Sequence, residues 1–195
     1  MKIRSVSFDT SFLLNYSSMI DKVIKKVSHD FIPCFITSTV ASELEQLKIW
    51  GRITQKDYDM AMNRSAHAHA SIIDFKNRLL SDSYGKACIV SMQKHHGVKP
   101  EDIKNDCSIL VSTLKNGVDL FLSQDYHFTS KITKDVVKEI THKACQEYHM
   151  MCDTHLLSMS ADTFLAAYHH LDINLDIVDK RMKRVRKKGK LLNDK

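Results

Sequence analysis

Short apolar runs alternate with longer amphipathic segments along most of the chain. In the short runs the hydrophobic residues are adjacent or alternate, as in strands, whereas in the longer segments they recur every three or four positions, as in helices. The runs that predict strands cover residues 3–8, 33–38, 118–123 and 154–160. The segments that predict helices begin at residue 10 and then cover residues 17–30, 39–50, 54–80, 86–96, 100–116, 133–148 and 160–171. Because helices separate the strands throughout, the pattern predicts an α/β fold, a three-layer α/β/α sandwich around a mostly parallel sheet.

Residues that start and stop helices support some of these boundaries. Ser38 or Thr39 is a candidate N-cap for the helix that follows the second strand, and Thr54 is a candidate N-cap for the next one. Gly117 is a suitable stop for the helix that precedes the third strand. Residues 81–85 predict a break between two helices.

Length and composition limit the classes of protein to consider. The chain has 195 residues, of which 43% are hydrophobic, and this suits one compact domain with a substantial core. No apolar run is long enough to span a bilayer, the amino terminus lacks a signal-peptide pattern, and the five cysteines form no CxxC pair. These features predict a cytoplasmic protein with reduced thiols and no membrane partner.

Positive charge is concentrated near the carboxyl terminus. The formal net charge is +6, and most of the excess lies in residues 180–190. We therefore divide the chain into a domain over residues 1–171 and a basic extension, helix or tail, over residues 172–195. Clustered lysine and arginine residues are typical of proteins that bind nucleic acid, and a solvated tail is the alternative. The candidate nucleic-acid-binding residues are Lys180, Arg181, Lys183, Arg184, Arg186, Lys187, Lys188 and Lys190.

Four acidic residues lie where the carboxyl ends of the strands are expected. Asp9 directly follows the first predicted strand, Asp125 comes two residues after the strand over 118–123, and Glu43 and Asp106 lie on helices next to predicted strands. In open parallel sheets this edge is where ligands bind. Asp106 falls on the edge of an apolar stripe, and no lysine or arginine is an obvious partner for it. Carboxylates that face one another repel unless a divalent cation holds them together, and oxygen ligands without a cysteine or histidine pattern suit Mg²⁺ or Mn²⁺.

Five segments together resemble the successive motifs of the PIN domain family. These segments read VSFDTSFLLN, STVASELEQL, IKNDCSIL, VDLFLSQDYHF and HLLSMSADTFLAAY, and the resemblance extends over residues 3–170. It implies a metal-dependent nuclease, usually an endoribonuclease, of the kind found as toxins of toxin–antitoxin pairs and in RNA processing. The expected partners are therefore RNA and, for a toxin, an antitoxin protein, and a homodimer is a candidate assembly. The stretch between Glu43 and Asp106 is longer than in the smallest such toxins and predicts an inserted helical pair.

The resemblance also implies roles for individual residues. Asp9, Asp106 and Asp125 would chiefly ligate Mg²⁺ or Mn²⁺, and Glu43 would ligate a metal or deprotonate the attacking water. All four are thus candidate catalytic and metal-binding residues. The hydroxyl residues that would support the site are Thr10, Ser11 and Ser123.

Other interpretations explain single features of the chain. A phosphatase of the haloacid-dehalogenase type also places an aspartate after its first strand, but it needs a second aspartate where this chain has Ser11. A zinc site is the alternative for the residues Cys145, His149, Cys152 and His155, whose spacing matches no zinc module. A PIN-like module with weak catalysis that binds RNA or a protein is the main alternative function. We expect His95 and His96 to be solvated and Trp50 to be a packing residue.

Overall fold

The central sheet has five parallel strands. A computed structural model of the chain describes residues 1–74, 78–148 and 156–182. The strands are β1 (Val6–Phe8), β2 (Cys34–Thr37), β3 (Ser71–Ile73), β4 (Leu120–Leu122) and β5 (Leu157–Met159). They are arranged in the order β3-β2-β1-β4-β5, and every neighbouring pair is parallel. Helices flank the sheet, which confirms the predicted α/β/α sandwich.

Nine helices with defined bounds connect or follow these strands in the described part of the chain. They are α1 (Thr10–Leu13), α2 (Ser18–His29), α3 (Ser38–Ile49), α4 (Gln55–His67), α5 (Arg78–His96), α6 (Pro100–Lys115), α7 (Tyr126–Thr129), α8 (Lys131–Tyr148) and α9 (Ala161–Ala167). Residues 175–182 are also helical. A small antiparallel hairpin, β6 (Tyr168–His169) with β7 (Asp172–Ile173), lies between α9 and this last segment.

The caps fix the helices next to the sheet. The N-cap of α3 is Thr37, whose Oγ1 accepts the Val40 amide at 3.2 Å, so the cap lies one or two residues before the predicted position. Thr54 caps α4 as predicted and forms a reciprocal capping box with Asp57. Gly117 ends α6 with a φ of 66°, a left-handed conformation that glycine adopts without strain.

Two predictions between α3 and α6 are wrong. The helix predicted over residues 54–80 stops at His67, and β3 follows it and pairs with β2. The chain turns at His69, whose φ is 50°, and β3 then lies at the edge of the sheet with mostly exposed side chains. The break predicted over residues 81–85 is absent because α5 runs through it, and Cys88 and Met92 are buried in the core on one face of that helix. Tertiary packing has outweighed the weak helix propensity of serine and glycine.

The described part of the predicted extension packs against the domain. Ile173, Val178 and Met182 belong to the hydrophobic core, and the Ile173 amide donates to the carbonyl of Met1 at 2.8 Å. The helix predicted over residues 160–171 ends at Ala167, because the chain turns back through the hairpin. The basic residues Lys183, Arg184, Arg186, Lys187, Lys188 and Lys190 lie outside the described residues, as do His149, Cys152 and His155 of the zinc alternative.

Two further observations concern the surface. Trp50 is 67% exposed, so its prediction as a packing residue is wrong. It forms the C-cap of α3, where the helix has already left the core. Over residues 1–74, 78–148 and 156–182, the protein has no helix with both the length and the apolar character needed to cross a membrane.

Candidate metal centre

Asp9 and Asp125 lie at adjacent strand ends. The central strands β1 and β4 pair in register, with Phe8 opposite Leu122, and the Asp9 amide donates to the Leu122 carbonyl at 3.0 Å. Asp9 is the N-cap of α1, and Asp125 is the N-cap of α7. Asp9 thus directly follows β1 and Asp125 follows β4 by three residues, each aspartate opens a short helix, and the pairing of the strands brings the two loops together.

Two serine hydroxyls hold the Asp9 carboxylate. Ser11 Oγ donates to Asp9 Oδ2 at 2.5 Å, and Ser123 Oγ donates to the same oxygen at 2.8 Å. The two hydroxyls also accept backbone amides, Ser11 from Gln124 and Ser123 from Asp125, each at 3.0 Å. Asp9 is itself buried, and burial raises its pKa despite the hydrogen bonds from the serines. These hydrogen bonds join the loop after β1 to the loop after β4.

Thr10 connects this network to Glu43 on α3. Thr10 Oγ1 donates to Glu43 Oε2 at 2.5 Å, and Glu43 is half-buried. The helices α3 and α6 are themselves joined by the hydroxyl groups of Thr39 and Ser108, which lie 2.9 Å apart. This contact aligns the helix that carries Glu43 with the helix that carries Asp106.

The pKa of Asp106 shows how the four carboxylates influence one another. Burial, and then the negative charges of Asp9, Asp125 and Glu43 in that order, together raise this pKa from 3.8 to about 7. The charge of Glu43 likewise raises the pKa of Asp9. All four predicted acidic residues therefore share one electrostatic neighbourhood at the carboxyl edge of the sheet.

Three side chains lie close enough together to hold one metal ion. Ligand atoms of Asp106, Asp125 and His127 all lie within 4.8 Å of one another, and each residue is partly exposed. His127 Nδ1 is 3.1 Å from Asp125 Oδ1, and the His127 amide donates to the same oxygen at 2.8 Å. The donor set of two carboxylates and one imidazole suits a divalent cation. Asp9 and Glu43 are not members of this group of three, although both were predicted to be ligands.

His127 was missed when the sequence was considered alone. Its signal is its position two residues after Asp125, where the capping turn of α7 directs its amide to the aspartate. His96 was expected to be solvated, but it is half-buried, its Nε2 is buried without a hydrogen-bond partner, and its ring centroid is 5.2 Å from that of His127. Burial, and then the charges of His127 and His95, lower the pKa of His96. A neutral imidazole therefore borders the site.

No lysine or arginine compensates these carboxylates within the described ranges. The arginine and lysine ion pairs found there include Arg4–Asp119, Arg64–Asp21, Lys94–Glu139, Lys134–Asp179 and Arg181–Asp162. None of these pairs involves the four acidic residues, and no lysine or arginine is among the causes of the raised pKa values of Asp9 and Asp106. A buried cluster of acids without a paired cation is unfavourable unless protons or a metal ion compensate it.

No family model, curated protein or solved structure matches this chain. The fold and the site define its class as an α/β protein with a carboxylate-rich candidate metal centre at the carboxyl edge of a parallel sheet.

Proposed function

We propose that this protein is a metal-dependent endoribonuclease of the PIN type that hydrolyses RNA phosphodiester bonds. The observation that carries the proposal is the convergence of Asp9, Glu43, Asp106 and Asp125 on one neighbourhood, in which the pKa of Asp106 rises to about 7. Clusters of uncompensated carboxylates are arranged in this way in sites that hold divalent cations for phosphoryl chemistry.

The residues take distinct roles in this proposal. Asp106, Asp125 and His127 would hold Mg²⁺ or Mn²⁺, because their ligand atoms lie within 4.8 Å of one another. The bound ion would polarise the phosphodiester and lower the pKa of a water. The hydrogen bond from Thr10 engages Glu43 Oε2, which leaves Oε1 to accept a proton from the attacking water. Asp9 is fixed by Ser11 and Ser123 and adds negative charge that favours a cation.

RNA is the substrate class that the basic segment favours. Lys180 and Arg181 lie on the described helix over residues 175–182, directly before the remaining basic residues. The compartment we propose is the cytoplasm, because Cys34, Cys88 and Cys107 are free buried thiols. Within this proposal the protein acts either as a toxin with an antitoxin partner or in RNA processing. A homodimer is the candidate assembly.

Cleavage of labelled RNA tests this function directly. We expect the protein to cut single-stranded or structured RNA in Mn²⁺ or Mg²⁺ and to stop in EDTA. The variants Asp106→Asn and Asp125→Asn should lose more than about 100-fold in rate, which corresponds to about 2.7 kcal/mol of transition-state stabilisation, and retain the fold. Asp102→Asn is the matched control, since Asp102 is exposed and lies one turn earlier on α6.

A second result would favour the alternative function. If the wild-type protein binds RNA but cleaves none with any divalent ion, the domain is a binding module. Equal rates for Asp106→Asn and Asp102→Asn would exclude a catalytic role for the carboxylate cluster.

A further inference from the structure

A cavity of about 360 Å³ lies beside the candidate metal centre. It opens between the end of α5, the junction of α7 with α8, and the helix over residues 175–182. The residues that line it include Lys94, His95, Tyr126, Ser130, Lys131 and Met182. Tyr126 directly follows Asp125, and its ring centroid is 6.1 Å from that of His96, which in turn contacts His127. The cavity is therefore a neighbour of the carboxylates and not part of their cluster.

Ser130 is a buried polar group that lacks a partner in this cavity. It is 4% exposed, and its Oγ makes no hydrogen bond. Ser130 has an extended backbone and directly precedes Lys131, the first residue of α8, so it occupies the N-cap position of an 18-residue helix. A serine at this position ordinarily accepts an amide of the first turn. Here the hydroxyl is left for a ligand, beside a helix terminus that carries partial positive charge and favours anions.

The charges around the cavity favour an anion with a single negative charge. Lys131 is exposed, and no ion pair of Lys131 is found in the described parts of the chain. Lys94 is exposed as well, but its Nζ lies 2.9 Å from Glu139 Oε1, which neutralises part of its charge. Asp135 also lines the cavity and opposes a dianion such as free phosphate. A phosphodiester, which carries one negative charge, fits this balance better.

Tyr126 and Met182 relate the cavity to the neighbouring parts of the protein. Tyr126 is 46% exposed and lies between the carboxylates and Ser130, where its ring is available to a nucleobase. Met182 also lines the cavity, and it is the last described residue before the basic segment. Tyr126 therefore connects the cavity with the candidate metal centre, and Met182 connects it with the start of the basic segment.

We propose that this cavity is a nucleotide subsite for single-stranded RNA. The Ser130 hydroxyl, the first-turn amides of α8 and Lys131 bind one phosphodiester close to the cleaved bond, and Tyr126 stacks on the attached base. The inference rests on the proposed function for the identity of its ligand, but it concerns binding and needs no metal ion.

Binding of a fluorescein-labelled single-stranded RNA to the full chain in EDTA tests the subsite. We expect Lys131→Gln to weaken binding roughly 3- to 10-fold in low salt and to reduce the slope of log K against log salt by about 0.7, the value for one phosphate contact with a single strand. Lys138→Gln is the matched control, because Lys138 is exposed on the same helix and does not line the cavity. Tyr126→Ala should weaken binding about 5- to 100-fold, as expected for loss of one stacked base. Tyr126→Phe, which keeps the aromatic ring, should bind RNA as tightly as the wild-type protein.

The outcomes separate this inference from the nuclease proposal. Unchanged affinity and salt slope for Lys131→Gln and Tyr126→Ala, relative to Lys138→Gln, would overturn the subsite even if the protein cleaves RNA. If these two variants bind RNA more weakly but the wild-type protein cuts no RNA, the subsite is supported and the nuclease proposal is wrong. If Lys131→Gln changes the affinity for inorganic phosphate but not for RNA, the cavity binds a small anion and the inference is also wrong. Thermal unfolding of each variant checks that it is folded.

Discussion

Replacing Asp106 by asparagine should stabilise the protein when no metal ion is present. Burial, and then the charges of three neighbouring carboxylates, raise the pKa of Asp106 from 3.8 to about 7. A raised carboxyl pKa means that the charged form is less stable in the folded protein than in the unfolded chain. The resulting loss of stability is absent below pH 4, grows as the pH rises towards 7, and is constant above it. The neutral amide of asparagine removes this penalty.

The pKa also sets the size of the effect. One unit of pKa corresponds to about 1.4 kcal/mol, so the shift gives an upper limit on the order of 4 kcal/mol at pH 8. Asp106 is partly exposed, and solvent and counterions reduce the repulsion among the four acids. We therefore expect Asp106→Asn to raise the free energy of unfolding by about 1–3 kcal/mol at pH 8, and by much less at pH 4.

Urea denaturation in EDTA at the two pH values measures this change. Asp102→Asn on the same helix should change stability by no more than about 0.5 kcal/mol, as surface substitutions usually do. Added Mn²⁺ should stabilise the wild-type protein by mass action and stabilise Asp106→Asn less. A variant that is less stable than the wild type at pH 8 in EDTA, or equally stable, would refute the claim that burial and the neighbouring carboxylates destabilise the ionised form of Asp106.

Three further changes test other contacts of the structure. Glu139→Gln should cost about 0.5–1 kcal/mol at pH 7, a value reduced for solvent screening. In the wild-type protein the pKa of Glu139 is lowered to about 2, chiefly by hydrogen bonds from side chains of α5, so the cost of the substitution should vanish as the pH falls from 4.5 to 2. An equal cost at pH 2, measured by urea titration, would contradict this prediction. Arg64→Met should lose about 2–4 kcal/mol by calorimetry, because the buried guanidinium donates to two backbone carbonyls at 2.7 and 2.6 Å and to an aspartate at 2.9 Å; a loss under 1 kcal/mol would show that water replaces these bonds. Ser123→Ala should slow RNA cleavage about tenfold, since one hydrogen bond to Asp9 is worth about 1.4 kcal/mol, whereas Ser158→Ala, whose hydroxyl has no partner, should leave the rate unchanged.

The sequence predicted the sheet well where strand and helix signals are local. The runs that became β1, β2, β4 and β5 are buried and apolar, and each is followed by polar or capping residues that end it. The edge strand β3 gave no such signal, because Ser71 and Ile72 are exposed and the strand is not a buried apolar run. Its position depends on pairing with β2, which is a contact between distant parts of the chain. The continuity of α5 through Gly85 likewise comes from packing, which local propensity does not encode.

The site was predictable in its acidic residues and not in its finer geometry. Strand ends place Asp9 and Asp125, and helical periodicity places Asp106, so their approach to one another followed from topology alone. Which of them share a metal ion depends on side-chain directions. The two serine bonds draw the Asp9 carboxylate into a buried network, while the capping turn of α7 brings His127 next to Asp125.

The site combines a buried carboxylate, Asp9, with the partly exposed carboxylates of Asp106 and Asp125, and the two kinds have different effects on a bound cation. Asp9 is buried and hydrogen-bonded by two serines, whereas Asp106 and Asp125 are partly exposed and close to an imidazole. A fixed charge behind the ligands raises the affinity of the site for a cation without occupying a ligand position, and it also raises the pKa of Asp106 when the cation is absent. The same arrangement therefore predicts weak metal binding below pH 7, where Asp106 holds a proton, and stronger binding above it. Titration of the wild-type protein with Mn²⁺ at pH 6 and pH 8 should show this difference in affinity. Equal affinity at the two pH values would show that Asp106 is not a ligand of the metal ion.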